Sequence, residues 1–155
     1  MTRNGLTHPR DPAHWPAPSA HGSPVSGTVA VPGSKSLTNR YLVLAALASG
    51  ASVVRKPLHS RDSALMVTAL EQLGAAVTEL PDPGPFGPDL RIDPVSPGAV
   101  LDGPVTVDCG LAGTVMRFVP PVAALCSGTV VLDGDDAARV RPMLSLIHIS
   151  EPTRR

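Results

Sequence analysis

From Gly27 onward, short β-branched runs alternate with stretches of helical period. Thr28-Val29-Ala30-Val31, closed by Pro32-Gly33, predicts a strand. Leu37, Tyr41, Leu44 and Leu47 then recur at helical spacing, and Gly50 stands where a left-handed C-terminal glycine would end that helix. Ser52-Val53-Val54 predicts a second strand. Leu65, Met66, Ala69, Leu70 and Leu73 fall on one face of a second helix, with Asp62, aided by Ser60, as its cap and Gly74 as its end. Residues 75–80 and 90–92 predict two further strands around a proline- and glycine-rich connection from Pro81 to Pro88. The order is β-α-β-α-β-β.

That order restarts further along the chain, and Arg117 stands 77 residues after Arg40. Val105-Thr106-Val107 predicts the strand, Ala112-Gly113-Thr114 the turn, and Arg117 the opening of the helix. Arg40-Tyr41-Leu42-Val43 is echoed by Arg117-Phe118-Val119-Pro120, and each helix leads to paired valines, Val53-Val54 and Val130-Val131. Pro120 and Pro121 suit only a helix start, so they place it close to Arg117. The second copy breaks off after Arg139-Val140-Arg141-Pro142-Met143. The expected class is α/β, built of repeated β-α-β-α-β-β units and truncated in the second unit, with apolar faces left uncovered.

A length of 155 residues with 43% hydrophobic content suffices for one packed domain. Thirteen basic and thirteen acidic residues cancel, which argues against nucleic-acid and membrane-surface binding, so anion recognition is expected to be local. Cys109 and Cys126 have no metal-ligand spacing and read as inert thiols of a reducing compartment. The longest apolar stretch, 41–48, is too short for a bilayer, and the N-terminus lacks a secretory pattern, so a cytoplasmic protein is expected. Residues 1–26, rich in proline and carrying His8, His14 and His21, read as a flexible lead-in without a metal site.

One passage names a ligand type. Pro32-Gly33-Ser34-Lys35-Ser36-Leu37-Thr38-Asn39-Arg40 is a glycine-led turn entering a helix. The first N–H groups of a helix have no intrahelical acceptor and carry partial positive charge, so phosphate or carboxylate binds well there. Lys35 adds a point charge, Arg40 a bidentate fork, and Ser34 and Ser36 short hydroxyl donors. Gly113-Thr114 with Arg117 repeats that logic, and Arg139 and Arg141 follow the strand at residues 130–132. Several such basic sites in a neutral chain predict a ligand with more than one anionic group.

Val31 to Arg40, Asp108 to Phe118 and Asp133 to Pro142, in that order, resemble the 5-enolpyruvylshikimate-3-phosphate synthase family, most closely its actinobacterial form. The resemblance covers residues 27–143, read as a partial enolpyruvyl transferase domain. It implies a two-domain fold of the inside-out α/β barrel type and transfer of the enolpyruvyl group of phosphoenolpyruvate to the 5-hydroxyl of shikimate 3-phosphate, releasing phosphate, in the shikimate pathway to chorismate and the aromatic amino acids. It also implies that Lys35 contacts both substrates, that Ser36 and Arg40 hold shikimate 3-phosphate, and that Gly113 and Arg141 hold phosphoenolpyruvate. No metal or cofactor is implied, the partners are these two small molecules, and a monomer is expected of the complete protein.

Two departures qualify what the resemblance implies. Many bacterial members have Asn before Ala-Gly-Thr, where this chain has Leu111. Members are also much longer and carry their acid and base residues beyond the shared part, so no catalytic residue and no turnover are expected of this chain alone. Residues 144–155 do not resemble the family's next helix and read as an artefactual tail, similar to a translated sequencing adapter. Two alternatives stand beside this reading. One is the UDP-N-acetylglucosamine enolpyruvyl transferase, which needs a loop cysteine that Cys109 and Cys126 serve poorly, and the other is a non-catalytic anion-binding module.

Overall fold

The computed structural model describes residues 19–141 except 82, 83 and 97, so most of the lead-in and the whole of the tail at 144–155 lie outside the described residues. The chain divides into residues 1–30 and residues 31–155. The element order is α1 (Lys35–Ala46), β1 (Ser52–Val54), α2 (Arg61–Gln72), β2 (Ala76–Glu79), β3 (Leu90–Asp93), β4 (Val105–Asp108), α3 (Gly113–Ala123), β5 (Val130–Asp133) and a single-turn α4 (Asp136–Arg139).

Two small sheets carry the strands. β3 is central in the first, antiparallel to β1 on one side and β2 on the other, with Leu90 opposite both Val54 and Glu79. β1 and β2 are therefore parallel to each other and joined through α2. β4 and β5 form a parallel pair, Val105 opposite Val130 and Asp108 opposite Asp133, with α3 as the crossover. The three long helices pack pairwise on one another, and one core joins Leu42, Met66, Leu70, Leu73, Ile92, Val107, Val115 and Val119.

The expected strand at Thr28–Val31 does not form. Those residues are exposed and have no regular structure. A β-branched run becomes a strand only when another strand accepts its N–H and C=O groups, and none among the described residues does so here. Every other strand read from the pattern is present within a residue or two of its expected bounds.

On α1 the burial is the reverse of the apolar stripe. Leu37, Tyr41, Leu44 and Leu47 are 53%, 54%, 62% and 46% exposed, whereas Thr38, Asn39, Leu42, Ala45 and Ala46 are buried. Small side chains let α1 approach α2 and α3 closely, and the longer apolar residues point away from that packing. The helix also ends earlier than its glycine suggests. Leu47 N–H bonds the Val43 carbonyl at 3.1 Å and Ala48 N–H the Ala45 carbonyl at 3.3 Å, closing the last turn, while Gly50 is not left-handed.

α2 follows its pattern closely. Met66, Ala69, Leu70 and Leu73 are buried, and Gly74, with φ of 100°, terminates it as Ala75 N–H returns to the Leu70 carbonyl at 3.0 Å. Its cap is Ser60 rather than Asp62. The Ser60 hydroxyl accepts from Ser63 N–H at 3.3 Å, and Ser60 N–H donates to the Ser63 hydroxyl at 2.8 Å, a reciprocal box in which Asp62 is free to face elsewhere.

α3 begins at Gly113, four residues before Arg117, so Pro120 and Pro121 lie inside it. Lacking N–H groups, they leave the carbonyls of Met116 and Arg117 without helical donors, yet Ala124 N–H resumes the ladder to the Pro120 carbonyl at 3.0 Å. Burial of Val115, Val119 and Val122 in the shared core offsets that loss. Replacing Ser60 by Ala removes the hydroxyl that accepts from Ser63 N–H, leaving the backbone bond from residue 60 to the Ser63 hydroxyl, and is expected to lower stability by about 1 kcal/mol, read as a lower urea midpoint at unchanged slope.

Candidate functional site

A helix start satisfies its leading N–H groups either from within or from outside. α2 does so from within, through Ser60 and Ser63, with Asp62 adding negative charge to its first turn. α1 and α3 do not. Neither has a side-chain cap bond, and neither carries an acidic residue in its first turn. Their positive ends are left uncompensated.

The two starts are joined. Asn39, in the second turn of α1 and fully buried, donates from Nδ2 to the Thr114 hydroxyl at 2.6 Å. Slightly further along, the Arg40 guanidinium lies over the Phe118 ring, 5.2 Å from its centroid. Arg40 Nη1 also donates to the Ser36 carbonyl at 2.9 Å, and Arg117 Nη1 makes the same backward contact to the Gly113 carbonyl at 3.4 Å. Ser36 and Gly113, like Arg40 and Arg117, are 77 residues apart, so the repeat extends to side-chain geometry.

Lys35 and Ser36 lie exposed in the first turn of α1, and Lys35 Nζ is 3.0 Å from Asp62 Oδ2. That carboxylate holds the ammonium at the mouth of the helix rather than removing it, since the lysine side chain remains 54% exposed and a half-exposed pair yields readily to a stronger anion. At the other start, a Cβ added to Gly113 would lie 3.0 Å from Arg117 Nη1 and 3.6 Å from Arg141 Nη1. Any other residue would fill the space these two guanidinium groups share. Arg141 is steered there by its own bond to the Leu111 carbonyl at 3.3 Å, so the position that departs from many bacterial sequences contributes a backbone acceptor.

Among the described residues, the arginines fall into two sets. Arg61 forms a two-pronged pair with Asp135 at 3.1 Å in both arms, Arg91 pairs with Asp93, and Arg139 grips Asp133 at 2.9 and 3.0 Å and Asp136 at 3.0 Å. Arg40, Arg55, Arg117 and Arg141 pair with no carboxylate among the described residues, and of these Arg55 directly follows β1 while the other three lie at the two helix starts. The structure thus groups Lys35, Ser36 and Arg40 on the first turns of α1 and Gly113 with Arg141 at the start of α3, with Arg117 beside them. Arg139, which the pattern offered as a further anion contact, is committed to two aspartates. Sequence reasoning assigned no role to Asn39 or to the Arg61–Asp135 link from α2 to the β5–α4 turn. For Asn39 the sequence carried no signal, because it lies opposite the apolar stripe of α1 from which the buried side would be read.

A cleft of about 250 Å³ lies beside α3, lined by Cys109, Met116, Pro120, Leu132, Asp133 and Ala138 and by Arg139 and Arg141. Its walls are mainly apolar, and of the expected substrate residues it takes only Arg141. The Cys109 thiol beside it is pushed up to about 11 by burial and by the nearby Asp108 and Asp133 carboxylates, so it stays protonated near neutrality and is a poor nucleophile. Among the described residues no group of three or more His, Cys, Asp or Glu side chains is arranged to hold a metal ion, and no helix is long and apolar enough to cross a membrane.

The family model described as EPSP synthase (3-phosphoshikimate 1-carboxyvinyltransferase) matches residues 19–149. The chain belongs to the EPSP synthase family. A 3-phosphoshikimate 1-carboxyvinyltransferase from Kocuria rhizophila is 78% identical over 143 residues, which make up 92% of this chain and 32% of that relative. The chain spans about a third of the relative's length. Among solved structures, an EPSP synthase from Acinetobacter baumannii aligns with a TM-score of 0.65 at 24% identity, over 79% of this chain and 27% of that one. A second structure of that synthase aligns equally well, over 26% of its length. At that identity the likeness carries the fold, and the mixed α/β architecture described above agrees with an EPSP synthase fold represented in part.

The Asp133–Arg139 pair yields a pH test. The arginine hydrogen bond, followed by the Gly134 N–H, holds the Asp133 carboxyl below its ordinary range. A group depressed in the folded state adds stability above its unfolded value, about 3.9, and loses it as pH falls through the folded value. Wild type is therefore expected to melt above Asp133→Asn at pH 7, with the gap closing as pH falls below about 4. A gap independent of pH contradicts the pair.

Proposed function

We propose that this chain carries the shikimate 3-phosphate wall and part of the phosphoenolpyruvate wall of an enolpyruvyl transferase site. The complete protein transfers the enolpyruvyl group of phosphoenolpyruvate to the 5-hydroxyl of shikimate 3-phosphate and releases inorganic phosphate. The supporting observation is the gathering of three carboxylate-free arginines at two internally uncapped helix starts.

In this reading Lys35, Ser36 and Arg40 receive shikimate 3-phosphate, with the open N–H groups of α1 directed at its anionic groups. Gly113 gives phosphoenolpyruvate access to the backbone at the start of α3, and Arg141 supplies a planar fork for its carboxylate or phosphate. Lys35 lies between the two anions and lowers their mutual repulsion on approach. The 5-hydroxyl oxygen adds to the phosphate-bearing carbon of phosphoenolpyruvate while the methylene carbon takes up a proton, and phosphate then leaves as the resulting methyl group loses a proton, so the reaction needs an acid for the methylene carbon and a base for the hydroxyl. Those groups come from the remaining two-thirds of the protein. What these residues supply is orientation of two substrates that repel each other. The ligands are small molecules, and no cofactor enters the scheme. The chain acts in the cytoplasm in this reading, and the complete protein is a monomer.

The high position of the Cys109 thiol disfavours the UDP-N-acetylglucosamine transferase as an alternative. A non-catalytic phosphate receptor predicts that inorganic phosphate binds as well as shikimate 3-phosphate. Calorimetric titration separates the two. Shikimate 3-phosphate is expected to bind the wild-type chain more tightly than inorganic phosphate, and Lys35→Met to weaken it about tenfold or more. Arg91→Met, on the sheet and paired with Asp93, serves as the unaffected control. Equal affinity for the two ligands, or equal loss in both variants, contradicts the proposal.

A further inference from the structure

We infer that Asn39 is a positioning residue that fixes the first turn of α3, with Gly113, against the start of α1, with Lys35. Its relevance to catalysis rests on the function proposed above, but the geometric claim stands apart from it.

Asn39 is fully buried, and its carboxamide reaches both neighbouring helices. Nδ2 donates to the Thr114 hydroxyl at 2.6 Å and lies 3.5 Å from the Asp62 carbonyl. Only the N–H₂ end of the amide suits a carbonyl, so the orientation of the group follows from Asp62. Oδ1 points into the packing and has no partner among the described residues. An unpaired buried acceptor carries a desolvation cost that an aliphatic side chain of similar size would avoid. The bridge made by the other end is what offsets it.

The bridge has nothing to replace it. α3 has no side-chain cap at its start, and Pro120 and Pro121 remove two rungs from its later ladder, so its first turn depends on contacts from outside the helix. Thr114 immediately follows Gly113, whose neighbours are the Arg117 and Arg141 guanidinium groups. A shift of Thr114 therefore shifts the backbone that these arginines surround. Asp62, the second helix touched by the carboxamide, also holds Lys35 at 3.0 Å. One buried side chain thus sets the spacing of both anion-receiving starts.

Amide hydrogen exchange on the 155-residue chain tests this without a ligand. Asn39→Leu fills the same space without polar atoms, and Thr114→Val removes the acceptor at a half-buried surface position, so both keep the core. The reporter is Met116 N–H, which bonds the Ala112 carbonyl at 3.1 Å in the first turn of α3, and the reference is Leu73 N–H at the far end of α2. In both variants exchange at Met116 is expected to rise about tenfold relative to Leu73, as for one lost buried hydrogen bond, while Thr114→Ser restores wild-type exchange. Equal changes at Met116 and Leu73, or no change at either, overturn the inference by reducing Asn39 to a packing residue. A parallel titration with phosphoenolpyruvate in the presence of shikimate 3-phosphate reads the functional side. If the wild-type chain binds neither compound, the proposed function fails while the exchange result still decides the role of Asn39.

Discussion

A helix leaves its leading backbone N–H groups without intrahelical acceptors, and the three long helices of this chain meet that constraint in two different ways. α2 closes its own start with a serine pair and adds an acidic residue. α1 and α3 leave theirs without an internal cap, and beside them lie Lys35, held by Asp62, and three arginines that have no carboxylate partner among the described residues. The difference is chemical rather than architectural, since all three helices share one core. It separates a helix whose start is closed by its own side chains from two whose starts are not.

The close approach of α1 to its neighbours follows from side-chain size. Thr38, Ala45 and Ala46 are small enough to sit at the contact, with Leu42 as the one large apolar residue between them. That choice brings Asn39 within bonding distance of Thr114 and Arg40 within reach of Phe118. It also turns Leu37, Tyr41 and Leu44 outward, where they are exposed. Packing and site geometry are therefore set by the same few positions.

Much of this was legible in the chain itself. The α2 face, the Gly74 terminus, all five strands and the repeat of helix starts emerge from spacing alone, because each depends on local rules of period and turn chemistry. The family resemblance rested on three short motifs, and the 77-residue offset between Arg40 and Arg117 reappears as matching contacts to Ser36 and Gly113. The failures share a cause. Whether Thr28–Val31 pairs, which side of α1 is buried, and whether Pro120 can lie within a helix are decided by partners distant in sequence. Local pattern carries no information about those partners. The pairing of Arg139 with Asp133 and Asp136 was visible only as nearby charges, while the Asn39 bridge spans 75 residues.

The most direct test of the account is a map of backbone amide shifts on titrating the chain with shikimate 3-phosphate and then phosphoenolpyruvate. Two open helix starts forming one receptive wall predict that the first compound moves Lys35, Ser36 and Arg40, and that the second moves Gly113 and its neighbours up to Arg117. Shifts centred instead on the apolar cleft beside Cys109 and Leu132, or spread evenly over the surface, would contradict it.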